Sequence, residues 1–210
     1  MKKLTHLILL FASLFLFSNN NALSADEAAF SEEALKILEP KDSDIVYGNK
    51  DAKAVIVEYA SLSCAHCAGF HADILPFLEE KFIKDGKLKV IFRHFPLNAQ
   101  AMKASLLVEC LDSNERKQKF LKTLFKSIDK WAYHTDFQDK LGLIAKIGGV
   151  GPDEFKKCMG NKALEDKILA SRLDAANKVK VQSTPTIILN NKKIQFQTKE
   201  DLAAMIEEVL

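Results

Sequence analysis

The sequence predicts an α/β fold, a small sheet domain interrupted by an inserted all-helical domain. Three observations carry this reading. Apolar, β-branched runs of strand length stand at 54–59 (AVIVEY), 88–95 (LKVIFRHF) and 186–189 (TIIL). Between the second and third, from 99 to about 178, apolar residues recur at helical spacing throughout. A C-x-x-C sequence, Cys64-Ala65-His66-Cys67, follows the first run and opens a helical pattern.

The chain's first segment stands outside this fold. Met1-Lys2-Lys3 is a basic start, and 7–17 is an eleven-residue apolar run without a charge. Asn19-Asn20-Asn21 breaks the run, and Ala22-Leu23-Ser24 offers small residues for cleavage near Ser24/Ala25. That pattern is a secretory signal peptide over 1–24, since a spanning helix needs roughly 20 apolar residues. Export, and with it a periplasmic location, is the expectation. Residues 25–45 form an N-terminal arm, with a short helix over 28–39 that ends at Pro40.

The remaining elements follow in order. After the strand at 54–59, a helix is expected over 64–84, with Phe70, Ile74, Phe77, Leu78 and Phe82 on its buried face and a kink at Pro76. Asp85-Gly86 turns the chain into the strand at 88–95. Gly148 to Pro152 joins two helices and is no dinucleotide fingerprint, because it follows a helix and lacks G-x-G-x-x-G spacing. Asn190-Asn191 is a hairpin turn leading to a strand at 193–196, and Thr198 caps a last helix. The sheet domain is thus expected over 46–98 and 179–210, with the helical domain at 99–178.

Composition excludes several functions. With 48% hydrophobic and 28% charged residues, the chain is a folding one. Residues 1–24 hold two of the 30 basic residues and none of the 28 acidic ones, so the remainder is formally neutral, 28 against 28. Only Arg93, Arg116 and Arg172 are arginines, which leaves few bidentate anion grips. No nucleic acid or anionic lipid partner is expected.

Chemistry concentrates at the C-x-x-C. Three-residue spacing on one helical turn brings two sulfurs within disulfide reach. Cys64 lies where the free N–H groups of a helix start stabilise an anion, and His66 can add a charge or a donor. Cys67, one turn deeper, suits the resolving role. Lowering a thiol from pKa ~8.5 to ~3.5 stabilises the thiolate by about 7 kcal/mol and makes its disulfide more oxidising by roughly 150 mV. Haem attachment is excluded because Ala68, not histidine, follows Cys67. Zinc would need ligands beyond His66, His71 or His94 at suitable spacing, and no metal or other cofactor is expected.

Residues 58–67 (EYASLSCAHC), with Ser183-Thr184-Pro185-Thr186 far downstream, resemble the DsbA-type branch of the thioredoxin superfamily. Gly48-Asn49 and Arg93-His94-Phe95-Pro96-Leu97 strengthen the likeness, which includes alphaproteobacterial members with a CAHC centre. The resemblance implies a thioredoxin-like fold with the helical insertion in its usual place. It implies that Pro185 is a cis-proline facing the redox pair and that Thr184 presents its backbone to substrate. It also makes Glu58 the buried acid that exchanges a proton with the deeper cysteine. Without any family, an acid within AVIVEY already stands out, because a buried carboxylate is costly unless it has a partner or a task.

Cys110 and Cys158 each lie on an apolar helical face. Two separate buried thiols are one reading; export favours a structural disulfide, worth ~4 kcal/mol for a loop of about 48 residues. The function expected is an exported thiol:disulfide oxidase, monomeric, acting on reduced or unfolded exported proteins. A DsbB-like membrane protein would reoxidise it, as the resemblance implies. The alternatives are an isomerase or reductase of the same fold, and a metal- or peptide-binding module.

Overall fold

The computed structural model describes residues 29–210; the expected signal peptide, its expected cleavage position and the first residues of the expected arm lie outside them. A five-stranded sheet forms the centre, in the order β1 (Ile45–Tyr47), β3 (Leu88–His94), β2 (Ala54–Ala60), β4 (Thr186–Leu189), β5 (Lys192–Ile194). Only β2 and β3 run parallel, with Ala54 opposite Leu88 and Ala60 opposite His94. A parallel pair needs a crossover, and the helical stretch after Cys64 supplies it.

Strand alternation sorts the core into two layers. Ala54, Ile56 and Ala60 of β2 share a face with Leu88, Val90 and Phe92 of β3. The period of two puts Glu58 on that same face. This side carries the helices after Cys64, most of the inserted helices and the last helix in one continuous apolar cluster. Val57, Tyr59, Ile91 and Ile188 face the other way, onto α1 (Glu32–Leu38) and the residues around Val179.

The helix expected over 64–84 is not uniform. α2 (Ala65–Gly69) passes into a π turn at Phe70–Ile74, then α3 (Leu75–Leu78), then a second π turn at Glu79–Ile83. Pro76 stands in the first turn of α3 and has no N–H to donate. The wide turn ahead of it, with Leu75 N–H bonded to Phe70 O, takes up the mismatch. Between β3 and β4 run α4 (Ala99–Glu109), α5 (Asn114–Lys126), α6 (Phe137–Ile147), α7 (Pro152–Met159) and α8 (Lys162–Asn177). Side chains of Asn98, Ser113 and Asn161 cap the first, second and last of these. At the far end, Asn190 and Asn191 both take positive φ in the hairpin turn, and Thr198 with Asp201 forms a capping box for α9 (Lys199–Glu207).

Two features depart from the expected elements. β1 is a strand with no expected counterpart, at the junction of the expected arm (Ile45) and sheet domain (Val46, Tyr47); three residues are too few to show a period. Its free edge at Val46 is closed by the Asn114 side chain, which accepts from Val46 N–H at 2.9 Å and donates to Val46 O at 2.8 Å. β5 begins at Lys192, one residue early, because the two-residue turn hands the chain directly back to Leu189. Arg93, one of the three arginines, clasps the arm to the sheet. Its Nε and Nη2 donate to the Asp44 carboxylate at 3.0 and 2.8 Å, and its fork also reaches the carbonyls of Ile37 and Glu39, both at 2.7 Å.

Gly48 follows β1 at φ +100°, and a Cβ there would stand 2.7 Å from the Leu88 carbonyl oxygen. Gly48→Ala therefore meets both a disfavoured backbone region and a backbone clash. It is expected to lower stability by about 2 kcal/mol in urea unfolding. An unchanged midpoint would mean that the loop shifts at no cost.

Candidate active site

Cys64 is the N-cap of α2, with extended backbone angles, and Cys67 lies one turn in. Both are free thiols, Cys64 partly exposed and Cys67 fully buried. The Cys67 N–H donates to Cys64 Sγ at 3.5 Å, and the Cys64 thiol reaches the Thr184 carbonyl oxygen at 3.3 Å. The thiolate of Cys64 is held down to about pKa 5. A hydrogen bond from Cys67 is the largest cause, opposed by burial and helped by Thr184 and by the N–H groups of Cys67 and His66. Thr184 Oγ1 is buried and has no partner in the thiol form, which leaves it free to donate once the thiolate forms. Cys67 moves the opposite way: its bond to Cys64, its burial and the negative charges of Glu58 and Cys64 push it far up. One cysteine is thus poised as an anion and the other as a neutral thiol.

Alkylation of the reduced chain at Cys64 is expected to titrate with a midpoint near pH 5, against about 8.5 for a free thiol. Stability follows by linkage. Between about 5 and the free-thiol value of about 8.5, an unfolded Cys64 holds a proton that the native one has released, so the reduced native state gains stability as pH rises. That gain is complete above the unfolded value and lost as pH falls through about 5. A disulfide has no thiol to ionise, so thermal melts of the oxidised chain should lack this slope.

Thr184-Pro185 is a cis peptide bond, and Thr186 Oγ1 donates to Ser183 O at 2.8 Å, closing the loop on itself. The structure brings Cys64, Cys67 and Thr184-Pro185 to one place. His66 enters differently from expectation: its ring is exposed and makes no hydrogen bond among the described residues, while its backbone N–H acts on Cys64.

Glu58 is fully buried below this pair, and its charge is felt at Cys67. Its Oε2 lies 2.9 Å from His71 Nε2, and its Oε1 has no partner among the described residues. His71 stacks on Phe125 at 4.4 Å between ring centroids and meets the edges of Tyr47, Phe70 and Phe92. Sequence reasoning weighed His71 only as a metal ligand. Its signal was the spacing: four residues after Cys67, it lies on the same helical face, one turn further down. Among the described residues, no group of three or more His, Cys, Asp or Glu is placed to hold a metal. Cys110 and Cys158 are joined by a disulfide between the end of α4 and α7, with Cα atoms 5.6 Å apart. No helix of the described residues is long and apolar enough to cross a membrane.

Comparison with known proteins agrees with this geometry. The family model described as Thioredoxin matches residues 41–208. A Rickettsia bellii protein named as a protein-disulfide oxidoreductase is 31% identical over 169 residues, 80% of this chain and 65% of that protein. The chain spans 61–65% of the length of the Rickettsia relatives it matches. The crystal structure of Wolbachia pipientis alpha-DsbA1 superposes with a TM-score of 0.73 at 32% identity, over 84% of this chain and 95% of that one. Oxidised BdbD from Bacillus subtilis shares the fold, with a TM-score of 0.71 at 24% identity, over 79% and 92% of the two chains. A family match over most of the chain, joined to a likeness that spans nearly all of a DsbA, gives one conclusion: the chain belongs to the thioredoxin family, in its DsbA-like branch of oxidoreductases.

Proposed function

We propose that this chain is an exported thiol:disulfide oxidase that donates the Cys64–Cys67 disulfide to newly exported proteins. The observation that carries the proposal is the opposed pair of thiols, Cys64 held down to about 5 and Cys67 pushed up by its bond to Cys64 and by burial. A stabilised Cys64 thiolate favours the reduced form of the pair, so the disulfide is a strong oxidant and Cys64 a good leaving group. A substrate thiolate attacks Cys64 Sγ, the Cys64–Cys67 bond breaks, and Cys67 leaves and takes a proton. A second substrate thiolate then attacks the substrate sulfur of the mixed disulfide and expels Cys64 as a thiolate. Substrate loses two electrons and the protein gains them.

Glu58 supplies the proton to Cys67 in this scheme, and Thr184 and Pro185 receive the substrate chain beside Cys64. His66 tunes Cys64 through its backbone N–H. Residues 1–24 direct export to the periplasm, where a DsbB-like membrane protein reoxidises the pair. The sheet segments 46–98 and 179–210 carry the reaction, with 99–178 as the inserted helical domain. Relatives named for disulfide oxidoreduction or disulfide bond formation support the thiol–disulfide chemistry of this reading. Titration against glutathione tests it: a potential between about −180 and −120 mV is expected, whereas about −270 mV, the thioredoxin value, makes the chain a reductase.

A further inference from the structure

We infer that His71 is the positioning residue through which Glu58 exchanges its proton with water, by way of a surface cleft separate from the substrate-facing side of Cys64. The inference rests on the reading that Glu58 serves Cys67, and deepens it. A carboxyl group that hands a proton to Cys67 at each turnover must be reloaded. Glu58 is fully buried, so bulk water cannot do this directly. Among the described residues its one hydrogen-bond partner is His71, at 2.9 Å from Oε2, while Oε1 stays unpaired.

His71 is itself almost wholly buried, yet it forms part of the wall of a cleft of about 200 Å³ with Tyr47, Glu79, Lys119 and Lys122. No wall of this cleft belongs to the residues that touch Cys64. An imidazole has two nitrogens, so one can serve the carboxylate while the other meets the cleft. Phe70, Phe92 and Phe125 pack around the ring and leave that direction as the way out. The charged and titratable groups facing His71 are Glu58 from β2, Tyr47 from β1, Glu79 after α3, and Lys119 and Lys122 from α5. Tyr47 stays protonated at any working pH, because burial and then the charges of Glu58 and Glu79 push its hydroxyl up, so it does not compete for the proton.

The proton balance is closed. When Cys67 leaves as a thiolate, it takes the Glu58 carboxyl proton. As water in the cleft delivers a proton to the other ring nitrogen, His71 passes its Nε2 proton to the Glu58 carboxylate and stays neutral in the Nδ1–H form, which the reverse sequence returns to Nε2–H. The reverse sequence removes the proton when Cys67 attacks a mixed disulfide. This arrangement explains why a histidine is kept in an aromatic cage beside a buried acid. Proton traffic continues while a bound substrate covers Cys64 and Thr184.

The test is single-turnover exchange between the full chain and a dithiol peptide, followed in both directions from pH 5 to 8. His71→Gln keeps a hydrogen bond to Glu58 but cannot relay, and both rates should fall about a hundredfold, the low end of general acid–base effects. His71→Ala should be slowed in the same way and restored by added imidazole, which the vacated cleft admits. Glu58→Gln should be slow, and Glu58→Gln/His71→Gln no slower, because the two act in series. Fast His71 variants beside a slow Glu58→Gln overturn the relay and leave the role of Glu58 standing. A fast Glu58→Gln removes both. Slow His71 variants that imidazole does not restore, with a lowered melting temperature, assign His71 to packing and overturn the relay.

Discussion

Replacing Cys64 with serine is expected to reduce dithiol oxidation to the uncatalysed background, and replacing Cys67 with serine to abolish it as well while trapping Cys64 in a mixed disulfide with a substrate offered in its disulfide form. The two outcomes differ because the two sulfurs differ in place. Cys64 is partly exposed at the cap of α2, where the Cys67 N–H and the Thr184 carbonyl approach its sulfur. A serine oxygen there forms no disulfide and holds its proton far above the pH of the compartment, so neither attack nor departure is available. Cys67 is fully buried, so no substrate reaches it and its only reaction is with Cys64. Cys67→Ser leaves an activated Cys64 that captures a disulfide partner and has no neighbour to release it. Non-reducing electrophoresis and intact mass should show one substrate chain per protein, released by dithiothreitol. Dithiol oxidation by Cys67→Ser at the parent rate would mean that the Cys64–Cys67 disulfide is not the oxidant, and the proposed role of Cys67 would be lost.

The redox centre was the part of the molecule most legible in the sequence. A strand, a two-sulfur turn and a helix are contiguous, so local pattern alone places Cys64 ahead of Cys67 at a helix start. The sheet was legible where its strands are long: AVIVEY and LKVIFRHF are buried almost throughout and therefore carry no polar residue except those with a structural task. Glu58, Lys89, Arg93 and His94 are those exceptions. Glu58 and Arg93 are paired to His71 and Asp44, pairings that the sequence does not announce. Such partners are fixed by tertiary packing, which brings residues 13 and 49 positions apart into contact and leaves no local signature. β1 was hidden for a related reason. Three residues cannot display a period, and the strand exists because β3 on one side and the Asn114 side chain on the other satisfy its backbone. The π turns were hidden more deeply. A proline announces an interrupted helix, but whether the interruption becomes a kink or a wide turn depends on which carbonyls the surrounding packing leaves within reach.

Removing the Cys110–Cys158 disulfide by Cys110→Ala/Cys158→Ala is expected to lower stability by about 4 kcal/mol and the melting temperature by about 12 °C, the largest stability change forecast for this chain. The bond joins residues 48 apart and encloses α5 and α6. Its main effect is on the unfolded chain, which regains the freedom of a long loop once the link is gone. In the folded state the loop is already held, since Trp131 and Leu141 within it are fully buried in the core shared with the sheet. Alanine serves better than serine because Cys158 is fully buried and a serine hydroxyl there would need a partner. Reduction provides an independent check. On a Cys64→Ser/Cys67→Ser background, dithiothreitol acts on the second pair alone, and it should reproduce the loss seen with the alanines. Equal losses by the two routes would assign the whole effect to the link. A loss below about 1 kcal/mol by both would mean that the unfolded chain keeps these helices together without it, which the entropic account does not allow for. The consequence reaches the active site through α5. Phe125, inside the enclosed loop, stacks on His71, so the link also holds one wall of the cage around Glu58 and His71.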